Sequence, residues 1–75
     1  MKYRNTKLYK ELNPYIACSI AEGFCEGEGS SEKEQLIAWQ WISDRGLWKQ
    51  LQGFYGRSVH SLIEQGAIET PKLNN

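Results

Sequence analysis

Apolar positions recur at helical spacing from one end of the chain to the other, and no useful stretch alternates as a strand would. Asn13-Pro14 is the clearest start: the Asn side chain can cap free N–H groups, and Pro loses nothing at a first helical position. Ile16, Ile20 and Phe24 then recur every four residues beside Ala17 and Ala21, forming one apolar stripe that must face another element. Gly23 weakens the end of this helix, and the Glu26-Gly27-Glu28-Gly29 run is its exit, so 23–29 reads as a hinge within a Glu/Gly linker over 23–30.

Ser31 with Glu34 forms a capping box, so a second helix starts near Glu32. Leu36, Ile37, Trp39, Trp41 and Ile42 are too many for a narrow stripe, which makes this helix central, and Gly46 supplies its left-handed stop. Leu47, Trp48 and Leu51 predict a short third helix. Gly53 and Gly56 then bracket Phe54-Tyr55 in a turn, and a fourth helix runs from Ser58 to Gln65 with Val59, Leu62 and Ile63 inward. Gly66 ends it, Ala67 and Ile68 fold back over it, and 69–75 reads as a loose tail. The expected fold is an all-α bundle of three to four short helices in a single domain, 1–75.

Composition narrows the function more than the fold. Seventy-five residues with 40% hydrophobic content allow one modest core. Nine basic and nine acidic side chains give no net field to draw the chain onto nucleic acid or an anionic membrane. Charge is nevertheless segregated: residues 1–12 form a basic arm of +3, and residues 22–34 an acidic belt of −4. No apolar run approaches the ~20 residues of a spanning helix, and Met1 to Asn13 lacks a signal-peptide centre, which points to a cytoplasmic protein.

Cys18 and Cys25 would sit roughly 10 Å apart along one helix, too far for a disulfide, so reduced thiols are expected. His60 is the sole histidine and has no partner at metal-ligand spacing, so neither a metal nor a cofactor is expected. No spacing joins His60 to Cys18 or Cys25 as base and nucleophile, with Asp44 or Glu64 orienting, and the expectation is a protein that is not an enzyme.

The densest chemistry lies in Gln52, Gly53, Phe54, Tyr55, Gly56, Arg57 and Ser58 ahead of the fourth helix. Free helix N–H groups, glycines that admit a ligand, an arginine fork and a stacking ring make a cradle for an anion. The same residues also read as a turn, a core plug and a cap. The third and fourth helices have, besides, the outline of a helix-turn-helix with Ser58, His60, Ser61, Glu64 and Gln65 on the reading face, though Glu64 opposes DNA and few cations are near. Trp39 and Trp41 point about 200° apart round a helix, more than one core easily buries, so one of them, with Trp48, is expected at a homo-oligomer interface.

The stretch Ala38-Trp39-Gln40-Trp41, Asp44, Gly46-Leu47, Gln50-Leu51-Gln52-Gly53, Gly56-Arg57, Leu62-Ile63-Glu64 and Gly66 resembles a widespread family of very small phage-encoded proteins. The likeness covers 38–68, with Leu51-Gln52-Gly53-Phe54-Tyr55-Gly56-Arg57 its most specific part. Arg45 stands where that family has Thr, and Trp48 lies one position before the family tryptophan, whose place is taken by Lys49. The resemblance implies a phage accessory protein of the anti-defence kind. Such a protein would sequester an anionic nucleotide-like host signal or occlude a host defence or regulatory protein.

Overall fold

The computed structural model describes residues 3–22, 31–50 and 53–70, and all of their regular structure is helical. A 3-10 turn, Tyr3–Asn5, leads into α1 (Lys7–Glu11), whose cap Thr6 accepts from the Tyr9 N–H at 3.2 Å. Next, α2 (Pro14–Glu22) starts where the Asn-Pro pair predicts, with Asn13 Oδ1 accepting from the Ile16 N–H at 2.9 Å. The box that opens α3 (Glu32–Arg45) is complete: Glu34 N–H donates to Ser31 Oγ at 3.1 Å, and Ser31 N–H to Glu34 Oε1 at 3.0 Å. Gly46, at φ +66°, stops α3 in the left-handed region that glycine alone adopts cheaply.

A second 3-10 turn, Leu47–Gln50, precedes α4 (Gly53–Glu64). Gly66, at φ +76°, turns the chain back: its N–H donates to Ile63 O at 3.0 Å and the Ala67 N–H to Leu62 O at 2.9 Å, the paired bonds of a Schellman stop. Ile68 is thereby carried into the core at 2% exposure. Among the described residues no helix is long and apolar enough to cross a membrane.

The seven residues Ile37 to Ser43 of α3 are all buried, which makes α3 the central element. Its broadest contact is with α2, through Ala17 and Ile20, while Tyr55 and Val59 of α4 and Ile68 complete the core.

From residue 3 onward the basic segment is part of the body: Tyr3, Leu8 and Tyr9 pack on the core, and Leu12 is buried in it. Two expectations are corrected. The fourth helix starts at Gly53, not Ser58, so the supposed turn is its first helical turn. Two helical glycines cost about 1 kcal/mol each relative to alanine, and burial of Tyr55 together with close packing of Trp48 offsets that cost. Finally, the chain itself buries both Trp39 (7% exposed) and Trp41 (4%). α4 covers Trp39, and the Leu12–Pro14 corner with Leu47 borders Trp41, so a helix flanked on two sides needs no partner chain to hide both rings. The expected linker 23–30, with Phe24 and Cys25, lies outside the described residues, as do Leu51, Gln52 and 71–75.

The segments around Arg4 and around Glu69 meet on α3 through polar groups. Asp44 takes Arg4 in a fork, Nε to Oδ2 at 2.7 Å and Nη2 to Oδ1 at 2.8 Å. The same carboxylate accepts from Tyr9 Oη at 2.6 Å and from Gln40 Nε2 at 3.1 Å. Fully buried Gln40 also pairs with the Glu69 backbone, accepting its N–H at 2.7 Å and donating to its carbonyl at 3.1 Å. Arg4 reaches Glu69 Oε1 as well and donates to Thr70 O at 2.9 Å, so the expected loose tail is held at Glu69 and Thr70.

Removing Arg4 takes a two-bond guanidinium fork away from a carboxylate only 7% exposed. Arg4→Ala is therefore expected to lower the unfolding free energy by about 3 kcal/mol in urea titrations, and Arg4→Lys, which cannot form the fork, to recover less than half of it. Burial first, and then its hydrogen bond to Asp44, push the Tyr9 phenol up to about 12. The unfolded chain loses this proton near pH ~10, so Tyr9's share of stability is intact below that pH and disappears as pH rises toward about 12. Absorbance titration should show a late phenolate that is missing in Tyr9→Phe.

Candidate functional site

Around α4, buried Tyr55 and Val59 define the core side. Phe54, Arg57, Ser58, Ser61 and Leu62 recur at helical spacing on a different side, where they line one wall of a groove of about 450 Å³. Trp39 of α3 and Ala21 of α2 form the rest of the lining. Trp39 is held edge-on by Phe54, ring centres 6.1 Å apart, and tilted against Tyr55 at 5.4 Å. Phe54 remains 46% exposed, unusual for so large an apolar ring, and it is the groove's accessible aromatic surface.

Arg57 is exposed and, among the described residues, has neither an ion pair nor a hydrogen bond. Its guanidinium folds back along the first turn of α4: a methyl group placed on Gly53 would lie 3.2 Å from Nη1. The N–H groups of that turn have no intrahelical acceptor, so arginine donors and positive helix end coincide. Ser61 Oγ accepts from Gln65 Nε2 at 2.8 Å, which leaves its own proton to donate outward. Among the described residues no acidic side chain lines the groove. Such an arrangement suits an anion attached to a flat ring.

Of the residues expected to bind ligand, Phe54, Arg57 and Ser58 are brought together here. Tyr55 is not: at 5% exposure it is a core side chain and cannot stack on a ligand. Gly56 serves packing, since a methyl group there would meet Trp48 Cε3 at 3.2 Å, and Gln52 lies outside the described residues. Ser61, Ala21 and Leu62 were absent from the expected ligand set. The i, i+3, i+4, i+7 series from Phe54 contains the signal for Ser61, but it shows only once α4 is known to begin at Gly53.

Trp48, half-buried, packs edge-on to His60 with ring centres 5.2 Å apart, and Lys49 Nζ lies 5.7 Å from its ring. Cys18 is a half-buried free thiol, pushed up by burial and then by Glu22, which makes it a poor nucleophile.

A second groove, about 370 Å³, lies between the Leu12–Pro14 corner and Trp41, Arg45, Leu47 and Gln50. Arg45 is stacked 4.8 Å above Trp41 at the end of α3, where exposed carbonyls oppose an anion. Compared with family models, curated proteins and solved structures, the chain finds no match.

Burial separates the three tryptophans. Acrylamide should quench mainly Trp48 emission in dilute, monomeric protein, and Trp48→Phe should remove most of the quenchable signal. Equal quenching of all three rings would contradict burial of Trp39 and Trp41 within one chain.

Proposed function

We propose that this chain is a non-catalytic binding module, a phage accessory protein working in the host cytoplasm, that sequesters an anionic nucleotide-like signal in the groove between α4 and Trp39. The observation that carries the reading is Arg57, an arginine without a structural partner among the described residues, beside an exposed ring and outward hydroxyls. By contrast, Ala38, Gln40, Asp44, Gly46, Gly56 and Gly66, which share the phage-family resemblance with Arg57, all have structural tasks. Binding of this sort needs positioning and charge, not a catalytic group.

In this reading Arg57 grips the anionic group, Ser58 and Ser61 donate to its oxygens, and Phe54 packs on the ring. A protein-inhibitor reading loses Trp39 and Trp41, which are buried, and would rest on exposed Glu22, Glu32, Glu34 and Tyr15. A helix-turn-helix reading would put Glu64 and Gln65 beside Arg57 and His60 on exposed α4, a poor match to phosphate backbones.

Native mass spectrometry of the protein isolated from its host is expected to show an adduct of nucleotide mass that denaturation releases. Arg57→Ala should lose the adduct, a drop of at least about tenfold in affinity, while unfolding stability stays within about 0.5 kcal/mol because the side chain supports nothing. An Arg57→Ala protein that keeps the adduct would contradict the assignment.

A further inference from the structure

Resting on the groove reading above, we infer that the groove selects ligands with a single phosphate group, monoester or diester, and discriminates against polyphosphates. The inference follows from a charge count. Among the described residues Arg57 is the only cation lining the groove, and Ser58 and Ser61 add hydroxyl donors without charge. One guanidinium fork matches the oxygens of one phosphate, and the first turn of α4 adds partial positive charge at that place. A second and third phosphate would need a further cation.

Two exposed carboxylates are close in sequence to the lining: Glu22 follows Ala21 in α2, and Glu64 comes two residues after Leu62 on α4. A chain of phosphates extending past Arg57 finds no second lysine or arginine among the described lining residues. The groove's volume, about 450 Å³, is enough for a ring, a sugar and a phosphate, within the range of small-molecule sites. The ring is as necessary as the phosphate, because Phe54, Trp39, Ala21 and Leu62 make the apolar part of the lining and Phe54 is its exposed ring.

The test is calorimetric titration of the full chain with adenosine, guanosine, cytidine and uridine as nucleosides, 5′-monophosphates, 3′,5′-cyclic monophosphates and 5′-triphosphates. For the preferred base, one of the two single-phosphate forms is expected to bind at least tenfold more tightly than both nucleoside and triphosphate, and the stronger of the two tells monoester from diester. Arg57→Ala should reduce the monophosphate to the level of the nucleoside. Glu22→Lys with Glu64→Lys, exposed positions outside the lining, should raise triphosphate affinity and narrow the preference. A triphosphate that binds as tightly as the monophosphate in wild-type protein, with Arg57→Ala weakening both, overturns the single-phosphate inference and leaves the groove reading standing. Absence of binding by every compound overturns both.

Discussion

The carboxylate of Asp44 holds the fold closed. It lies near the end of the central helix with 7% of its side chain exposed, and an unpaired charge at such depth would cost several kcal/mol. Arg4 meets it as a fork, Tyr9 and Gln40 supply further donors, and Gln40 in turn pairs with the backbone of Glu69. Two segments more than sixty residues apart in sequence, around Arg4 and around Glu69 and Thr70, are thereby fastened to one turn of α3. Since Arg4 and Glu69 each bring apolar neighbours, Tyr3 and Ile68, the polar knot also sets where two sides of the core close.

Closure on that side determines what is left elsewhere. α3 is covered by α2, by the segment from Tyr3 to Leu12 and by the inward side of α4, so its tryptophans are used up within the chain. α4 is engaged through Tyr55 and Val59 and, at Gly56, by Trp48. Its remaining accessible side, from Phe54 through Arg57 to Ser61, faces the groove and carries a cation that the fold does not use. The three described arginines of this part of the chain thus differ in their engagement: Arg4 is tied into the knot, Arg45 is stacked on Trp41, and Arg57 has no hydrogen bond or ion pair among the described residues.

Local signals were legible in the sequence. Asn13-Pro14, the Ser31 and Glu34 box, and the stops at Gly46 and Gly66 each act within a few residues, and each stands where the pattern puts it. The long-range part was not. Nothing near Arg4 announces Asp44 forty residues away, so a basic arm was the natural reading of 1–12. Gly53 and Gly56 suggested a turn because their helical cost is local, whereas the gain from Tyr55 and Trp48 is tertiary. The angular argument for Trp41 failed for the same reason: it counted one core surface where the chain supplies two. Arg57, Phe54 and Ser58 could be found by residue chemistry alone, while Tyr55 could not be sorted from Phe54 without the helix register.

The most direct measurement is a 1H–15N NMR titration of the intact chain with adenosine 5′-monophosphate, following backbone amides and the Arg57 Nε–H. The account predicts saturable shifts clustered at Phe54, Arg57, Ser58 and Ser61, with the Trp39 indole moving alongside them. Shifts centred instead on Asn13, Arg45 and Gln50, or no saturable shift at any residue, would contradict it.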